Sequence, residues 1–200
     1  MQLGDLIGNY SAMTVSYTGT ANGISFNLSS SYQVVSSNST INVINIIQHA
    51  NTTTLNYTAW VLKNGTAVAV DIGGYKVTGY TAQSAFFGAM ATFFVQLLFS
   101  NNLALSQFTS LASTHVVGTS TVNLGPTSVM VTSYEANSLP VTFGGCYGTS
   151  TLDAFSIKVG TVQGKTMQLV TYLRISGSLY GQSINQNVDF TLAITSVTKA

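Results

Sequence analysis

AQSAFFGAMATFFVQLLF, residues 82–99, breaks the strand-like alternation that fills most of this chain. Its reading decides the fold. Phe86, Met90, Phe93, Phe94 and Leu97 recur at three- and four-residue spacing, the period of one helix face. Phe87, Val95 and Leu98 widen the apolar surface, which predicts burial on more than one side. We expect a helix over about 82–99, a break at Ser100-Asn101-Asn102 and a shorter helix over about 103–112. The apolar part, Ala85–Phe99, is interrupted by Thr92 and Gln96 and falls short of the roughly 20 residues that span a bilayer. A buried helix is expected, and no membrane span.

Both flanks of this stretch read as strands. Met13, Val15 and Tyr17 alternate with polar residues, and Asn22-Gly23 then turns the chain into Ile24, Phe26 and Leu28. Asn-Gly between alternating runs is a hairpin signal, because both residues tolerate positive φ. Tyr32–Val35 and Ile41–Ile47 are further strands, and 54–63 pairs with 66–72 across Asn64-Gly65. Beyond the helices, Val116–Leu124, Ser128–Tyr134, Ala154–Val159, Thr166–Ser176 and Ile184–Thr198 continue the pattern. Gln163-Gly164 supplies a third hairpin turn, and Tyr180-Gly181-Gln182 a further one. Val188, Phe190, Leu192 and Ile194 oppose Asp189, Thr191, Ala193 and Thr195. The expected fold is mainly β: an antiparallel, curled, sandwich-like sheet with one helical insertion at about 82–112 and an extended N-terminal segment. Residues 1–10 are read as a tail and 11–200 as a single head domain.

Charged residues are 6 % of the 200, with net charge +1 and 46 % hydrophobic residues; ordinary soluble domains carry about 25 % charge. Five carboxylates and two histidines leave little to titrate in acid, a composition suited to a strongly acidic medium. Six scattered Lys and Arg argue against nucleic acid as a partner. The single Cys146 excludes an intrachain disulfide and reads as a small buried residue beside Gly144-Gly145. The start, MQLGDLIGNYS, lacks a basic region followed by an apolar run, so a secreted form would be a processed chain.

Six glycosylation sequons begin at Asn9, Asn27, Asn38, Asn51, Asn56 and Asn64, and none follows. Six of the nine Asn up to position 66 are acceptors, and none of the six Asn after it is. The clustering predicts N-linked glycan over one face or end of an extracellular protein, and no other cofactor. Chemistry is sparse. His49 and His115 have no ligand-type residue at metal spacing, and no nucleophile elbow is present. The carboxylates Asp5, Asp71, Glu135, Asp153 and Asp189 form no local pair of the kind that cleaves glycosides. No metal site, catalytic residue or enzymatic activity is expected. Lys63, Lys76, Lys158, Lys165 and Lys199 are the candidates for an isopeptide link to Asn or Asp, which requires an adjacent carboxylate.

Clustered acceptors, very low charge, Ser/Thr/Asn/Tyr-rich strands, one Cys and a short leader together resemble the glycosylated thread-type filament subunits of the archaeal Sulfolobales. The resemblance implies a non-enzymatic subunit of a cell-surface filament, a linear homopolymer of identical subunits. It also implies donor-strand assembly, in which an extended segment completes a neighbour's sheet. Residues 1–10 would be the donor, with Leu3, Leu6 and Ile7 as anchors. A second reading is a secreted or surface-anchored carrier of a lipid or other hydrophobic ligand. In it a curled sheet is closed by an apolar helix, and Phe86, Phe93, Phe94 and Leu97 line the pocket.

Overall fold

A computed structural model describes residues 3–21, 23–99, 114–142, 149–179 and 182–200. The chain is mainly β, as expected. Its elements are α1 (Leu3–Asn9), β1 (Tyr10–Ala21), β2 (Ile24–Ser37), β3 (Ile41–Ala50), β4 (Thr53–Leu62), β5 (Ala67–Ile72) and β6 (Tyr75–Thr78). After these come α2 (Gly79–Phe99), β7 (His115–Leu124), β8 (Thr127–Thr142), β9 (Thr149–Val162), β10 (Lys165–Leu179) and β11 (Gln182–Lys199). The strands form one open antiparallel sheet in the order β6-β5-β4-β3-β2-β1-β11-β10-β9-β8-β7. Two meanders therefore meet at the first and last strands, and α2 begins the connection between the two sheet edges. At Asn64-Gly65 only the glycine takes a positive φ, 90°, whereas the Gln163-Gly164 turn carries the backbone the sequence calls for. Gln163 and Gly164 both have positive φ, 52° and 79°, the pair a tight type I′ hairpin needs. The expected break at Ser100-Asn101-Asn102, the helix over 103–112, and Cys146 with Gly144-Gly145 lie outside the described residues.

The chain divides into two compact units. Unit 1 comprises Met1–Ser16, Leu28–Leu98 and Ile194–Ala200, and unit 2 comprises Tyr17–Asn27 and Phe99–Ala193. In unit 1, alternate residues of each strand are buried: Met13 and Val15 on β1, Tyr32 on β2, Ile44 and Ile46 on β3, Ala59 and Val61 on β4. The register sets Tyr32 opposite Ile46 and Ile44 opposite Ala59, so these side chains share one face. In unit 2, Ala136, Phe155 and Ile157 form a buried cluster, with Tyr134, Val159 and Leu173 packed against it.

The N-terminal segment is not an extended tail. Residues 3–9 form helix α1, with Leu6 0 % and Ile7 3 % exposed within their own chain. The side chain of Leu3 lies outside the described residues. The reason is legible in the spacing. Leu3, Leu6 and Ile7 stand at i, i+3 and i+4, which is one helix face, whereas adjacent Leu6 and Ile7 would point to opposite sides of a strand. Gly4 lets the helix approach the β4–β5 turn, since a Cβ there would come within 2.9 Å of the Lys63 carbonyl oxygen. The last strand fastens the start of β1. The Ala200 amide donates to the Asn9 carbonyl at 3.2 Å, and the Ser11 hydroxyl donates to the Lys199 carbonyl at 2.7 Å.

Candidate functional site

Helix α2 and the sheet face beneath it are the main apolar construction of unit 1. Gly79 takes a φ of 63°, turning the chain out of β6 into a helix of 21 residues. Ala82, Phe86, Ala89, Met90 and Phe93 are buried, at spacings of four, three, one and three residues, so one stripe of the helix is seated. The Phe93 ring meets the Tyr32 ring edge-on, with centroids 5.1 Å apart at 78°, a favourable aromatic geometry. The Tyr32 hydroxyl donates to the Tyr10 carbonyl at 3.1 Å. Burial pushes the Tyr32 phenol well above its usual range, with the neighbouring Tyr10 adding to it, so the hydroxyl stays neutral and available as a donor.

Two polar contacts latch the helix to the strands. The Gln48 side-chain amide donates to the Ala89 carbonyl at 3.0 Å. The Gln83 side-chain oxygen accepts from the Ala67 amide at 2.6 Å, next to the β-bulge where β4 and β5 shift register between Trp60 and Val61. That amide sits at an irregularity in the ladder, and the helix supplies its acceptor. The opposite face of α2 is uncharged and mixes apolar residues with Thr81 and Ser84. Tyr80 is 88 % and Phe87 47 % exposed, beside exposed Ser84, Gly88 and Ala91. Of the aromatic and leucine positions expected to line a pocket, Phe86 and Phe93 are part of this seated core; the side chains of Phe94 and Leu97 lie outside the described residues.

The sequons do not gather at one end. Asn38 lies in the β2–β3 turn, its side-chain oxygen accepting from the Thr40 and Ile41 amides at 2.8 Å each. Asn64 lies in the β4–β5 turn and accepts from the Thr66 amide at 3.0 Å. Asn9 closes α1 at the same end, where β1 starts. Asn51 sits in the β3–β4 turn at a φ of 52°, and Asn56 pairs with Ile47 nearby. Asn27 precedes Leu28, whose partner is Ala50. Successive hairpin turns alternate between the two ends of a meander, so a series of sequons in successive turns must occupy both ends. All but the half-buried Asn9 are exposed, which leaves five acceptors open to solvent.

Both histidines are exposed, on different strands. His49 Nδ1 lies 2.9 Å from the Thr54 hydroxyl on the neighbouring strand, and His115 is on β7. Among the described residues no three His, Cys, Asp or Glu come together as a metal site would need. Lys63 donates to the Ser37 hydroxyl at 2.6 Å and to the Asn42 side-chain oxygen at 2.5 Å, which puts one isopeptide candidate against a buried Asn. No acidic residue is hydrogen-bonded to that pair among the described residues. Lys76 instead stacks over Trp60, 4.2 Å from the ring centroid. In unit 2, Arg174 pairs with Asp189 at 2.9 Å, and the Tyr172 hydroxyl donates to the same carboxylate oxygen at 2.7 Å. The Arg174 guanidinium, helped by that hydroxyl, holds the Asp189 carboxyl below the usual carboxylate range. Sequence reading missed this triad, because its members become neighbours only through the β10–β11 register, which sets Arg174 opposite Asp189.

No protein-family model matches the chain, and no curated protein matches it. Among solved structures, the crystal structure of a DUF1329 family protein from Desulfovibrio piger is similar over 98 % of this chain and 88 % of that chain, at 6 % identity and a TM-score of 0.32. A likeness that small shows neither fold nor function. No helix among the described residues is long and apolar enough to cross a membrane.

Proposed function

We propose that this protein binds a hydrophobic ligand, such as a lipid, on the sheet face covered by α2, and that the helix is its lid. One observation carries the reading: α2 carries no charged residue along its 21 positions, and large apolar side chains stand on its exposed side as well as on its seated one. A helix with a permanent place on a sheet ordinarily turns polar residues to water. The exposed Tyr80 and the half-exposed Phe87 put large apolar surface on the outer side, which suits a helix that changes what it covers. The Gln48 and Gln83 contacts are few enough to break and specific enough to restore the closed position. No catalytic group is invoked, and the protein acts outside the cell, where its sequons would carry glycan.

The test is organic extraction of the purified full chain followed by mass spectrometry of the extract. Titration of the extracted protein with a fluorescent long-chain fatty acid completes it. A near-stoichiometric extracted lipid and saturable probe binding are expected. Absence of both, at protein concentrations above 10 µM-scale probe affinities (on the order of −7 kcal/mol), would overturn the reading.

A second reading, the filament subunit, is favoured by the sheet edges. Among the described residues nothing pairs with the outer side of β6 or β7, and β7 exposes Val116 and Val117. Such edges accept strands from other chains. With Leu6 and Ile7 buried, strand donation by residues 1–10 requires α1 to leave its own core. Electron microscopy of the native protein beside a variant lacking residues 1–10 separates the readings. Filaments that disappear on truncation favour the subunit, and monomers in both preparations remove it.

A further inference from the structure

The polar face of unit 2 carries a second construction, independent of the apolar one. Glu135 on β8 stands opposite Ser156 on β9 and His115 on β7. One step along, Ser133 stands opposite Lys158 on β9 and Gly118 on β7. The β7 ladder shifts register between Val116 and Gly118, and a Cβ built on Gly118 would meet nothing within 4 Å. Two serines, a glycine and a bulge therefore leave a notch between longer neighbours. It is a cavity of about 330 Å³ whose lining includes Gly118, Thr119, Ser133, Glu135, Ser156 and Lys158. That volume falls at the lower end of the range typical for small-molecule sites.

The notch brings together two of the chain's few charges. Only 11 of its 200 residues are charged, 6 basic and 5 acidic, yet an acid and a base share this one small cavity. They stand diagonally across β8 and β9, close enough for long side chains to meet. The ion pair seen among the described residues is Arg174–Asp189; Glu135 and Lys158 are not joined to each other. A lone cation or a lone anion in the cavity would satisfy one of them and leave the other uncompensated. A ligand bearing both charges satisfies the two together, through charge-assisted hydrogen bonds, and the serine and threonine hydroxyls can donate or accept alongside.

We infer that this notch binds a small zwitterion, its cationic nitrogen at Glu135 and its anionic group at Lys158. Such a group is found both in free small molecules and in zwitterionic lipid headgroups. O-phosphoethanolamine, titrated into the full chain and followed by amide chemical shifts, is the probe. Saturable shifts at residues 117–120, 133–135 and 156–158 are expected. Ethanolamine alone and inorganic phosphate alone should each bind at least tenfold more weakly. E135Q and K158M should each weaken the probe at least tenfold with the circular dichroism spectrum unchanged. Should either variant misfold, Ser156→Leu, which fills the notch, is expected to abolish binding in its place. Vesicles containing phosphatidylethanolamine identify the source: co-sedimentation that E135Q removes points to a headgroup, and binding of the free probe alone points to a soluble ligand. The inference is overturned by absence of saturable binding, by variants that bind like the parent, or by loss in K158M with none in E135Q, which would mark a simple anion site.

Discussion

Removing the Gln83 latch separates a lid from a merely structural helix. Gln83→Ala deletes the acceptor 2.6 Å from the Ala67 amide, at a position where the bulge interrupts the β4–β5 ladder. A part-buried amide left without its partner costs about 1–2 kcal/mol, and that cost falls on the closed form. If ligand binding requires α2 to lift, the same free energy no longer opposes binding. The apparent affinity for a fluorescent fatty acid should then rise by roughly 5- to 30-fold, while stability against urea falls by about 1–2 kcal/mol at unchanged slope. Stability and affinity moving in opposite directions is the signature. Tyr80→Ser, at a position 88 % exposed, leaves the latch intact and should leave stability within about 0.5 kcal/mol of the parent. A Gln83→Ala protein that loses stability with affinity unchanged or weaker would refute the lid, because the helix would then be part of the binding surface or unrelated to it.

Other outcomes follow from the same geometry. Phe93→Ala removes a fully buried ring and its edge contact with Tyr32, and should cost about 3–5 kcal/mol in urea unfolding; a cost below about 1 kcal/mol would mean α2 is not seated on β2 and β3. Gly19→Ala would place a Cβ 2.1 Å from the Asp189 carbonyl oxygen and 2.7 Å from the Phe26 ring. The backbone must shift, and a loss of about 1–3 kcal/mol is expected in the same assay. Two groups give stability a stated dependence on pH, one at each end of the scale. The Asp189 carboxyl is lowered below 3.8, so its contribution is present above that pH and is lost as pH falls through the folded value. The Tyr32 phenol is raised above 10.0, so its contribution is complete below pH 10 and is lost as pH rises. Thermal melts across pH check both limbs, and Tyr32→Phe should shrink the alkaline one without removing it, because burial also raises Tyr10 and Tyr172, while costing about 1–2 kcal/mol for the stranded Tyr10 carbonyl.

What could be read from the sequence was whatever local spacing decides. The long helix was legible because Phe86, Met90 and Phe93 repeat at three and four residues, and the Asn64-Gly65 and Gln163-Gly164 hairpins because each turn states its own backbone requirement. Leu3, Leu6 and Ile7 carried the same helical spacing, but the segment is only seven residues long. An isolated helix that short is unstable by itself, and what holds it is tertiary: the burial of Leu6 and Ile7 and the close approach at Gly4. Those contacts are not written in a ten-residue window, so a tail was the natural expectation. The polar notch was illegible for a related reason. Glu135 and Lys158 are 23 positions apart, and only the β8–β9 register makes them neighbours. Nor could the sequence show that Gln83 answers an amide at a bulge sixteen residues earlier. These cases share one cause. Periodicity fixes which face of an element is apolar, whereas register and bulges fix which polar atoms on different elements meet. In a chain with so few charges, the sites lie in the register, so a shift of β8 against β9 by one residue should erase the notch while leaving every strand assignment intact.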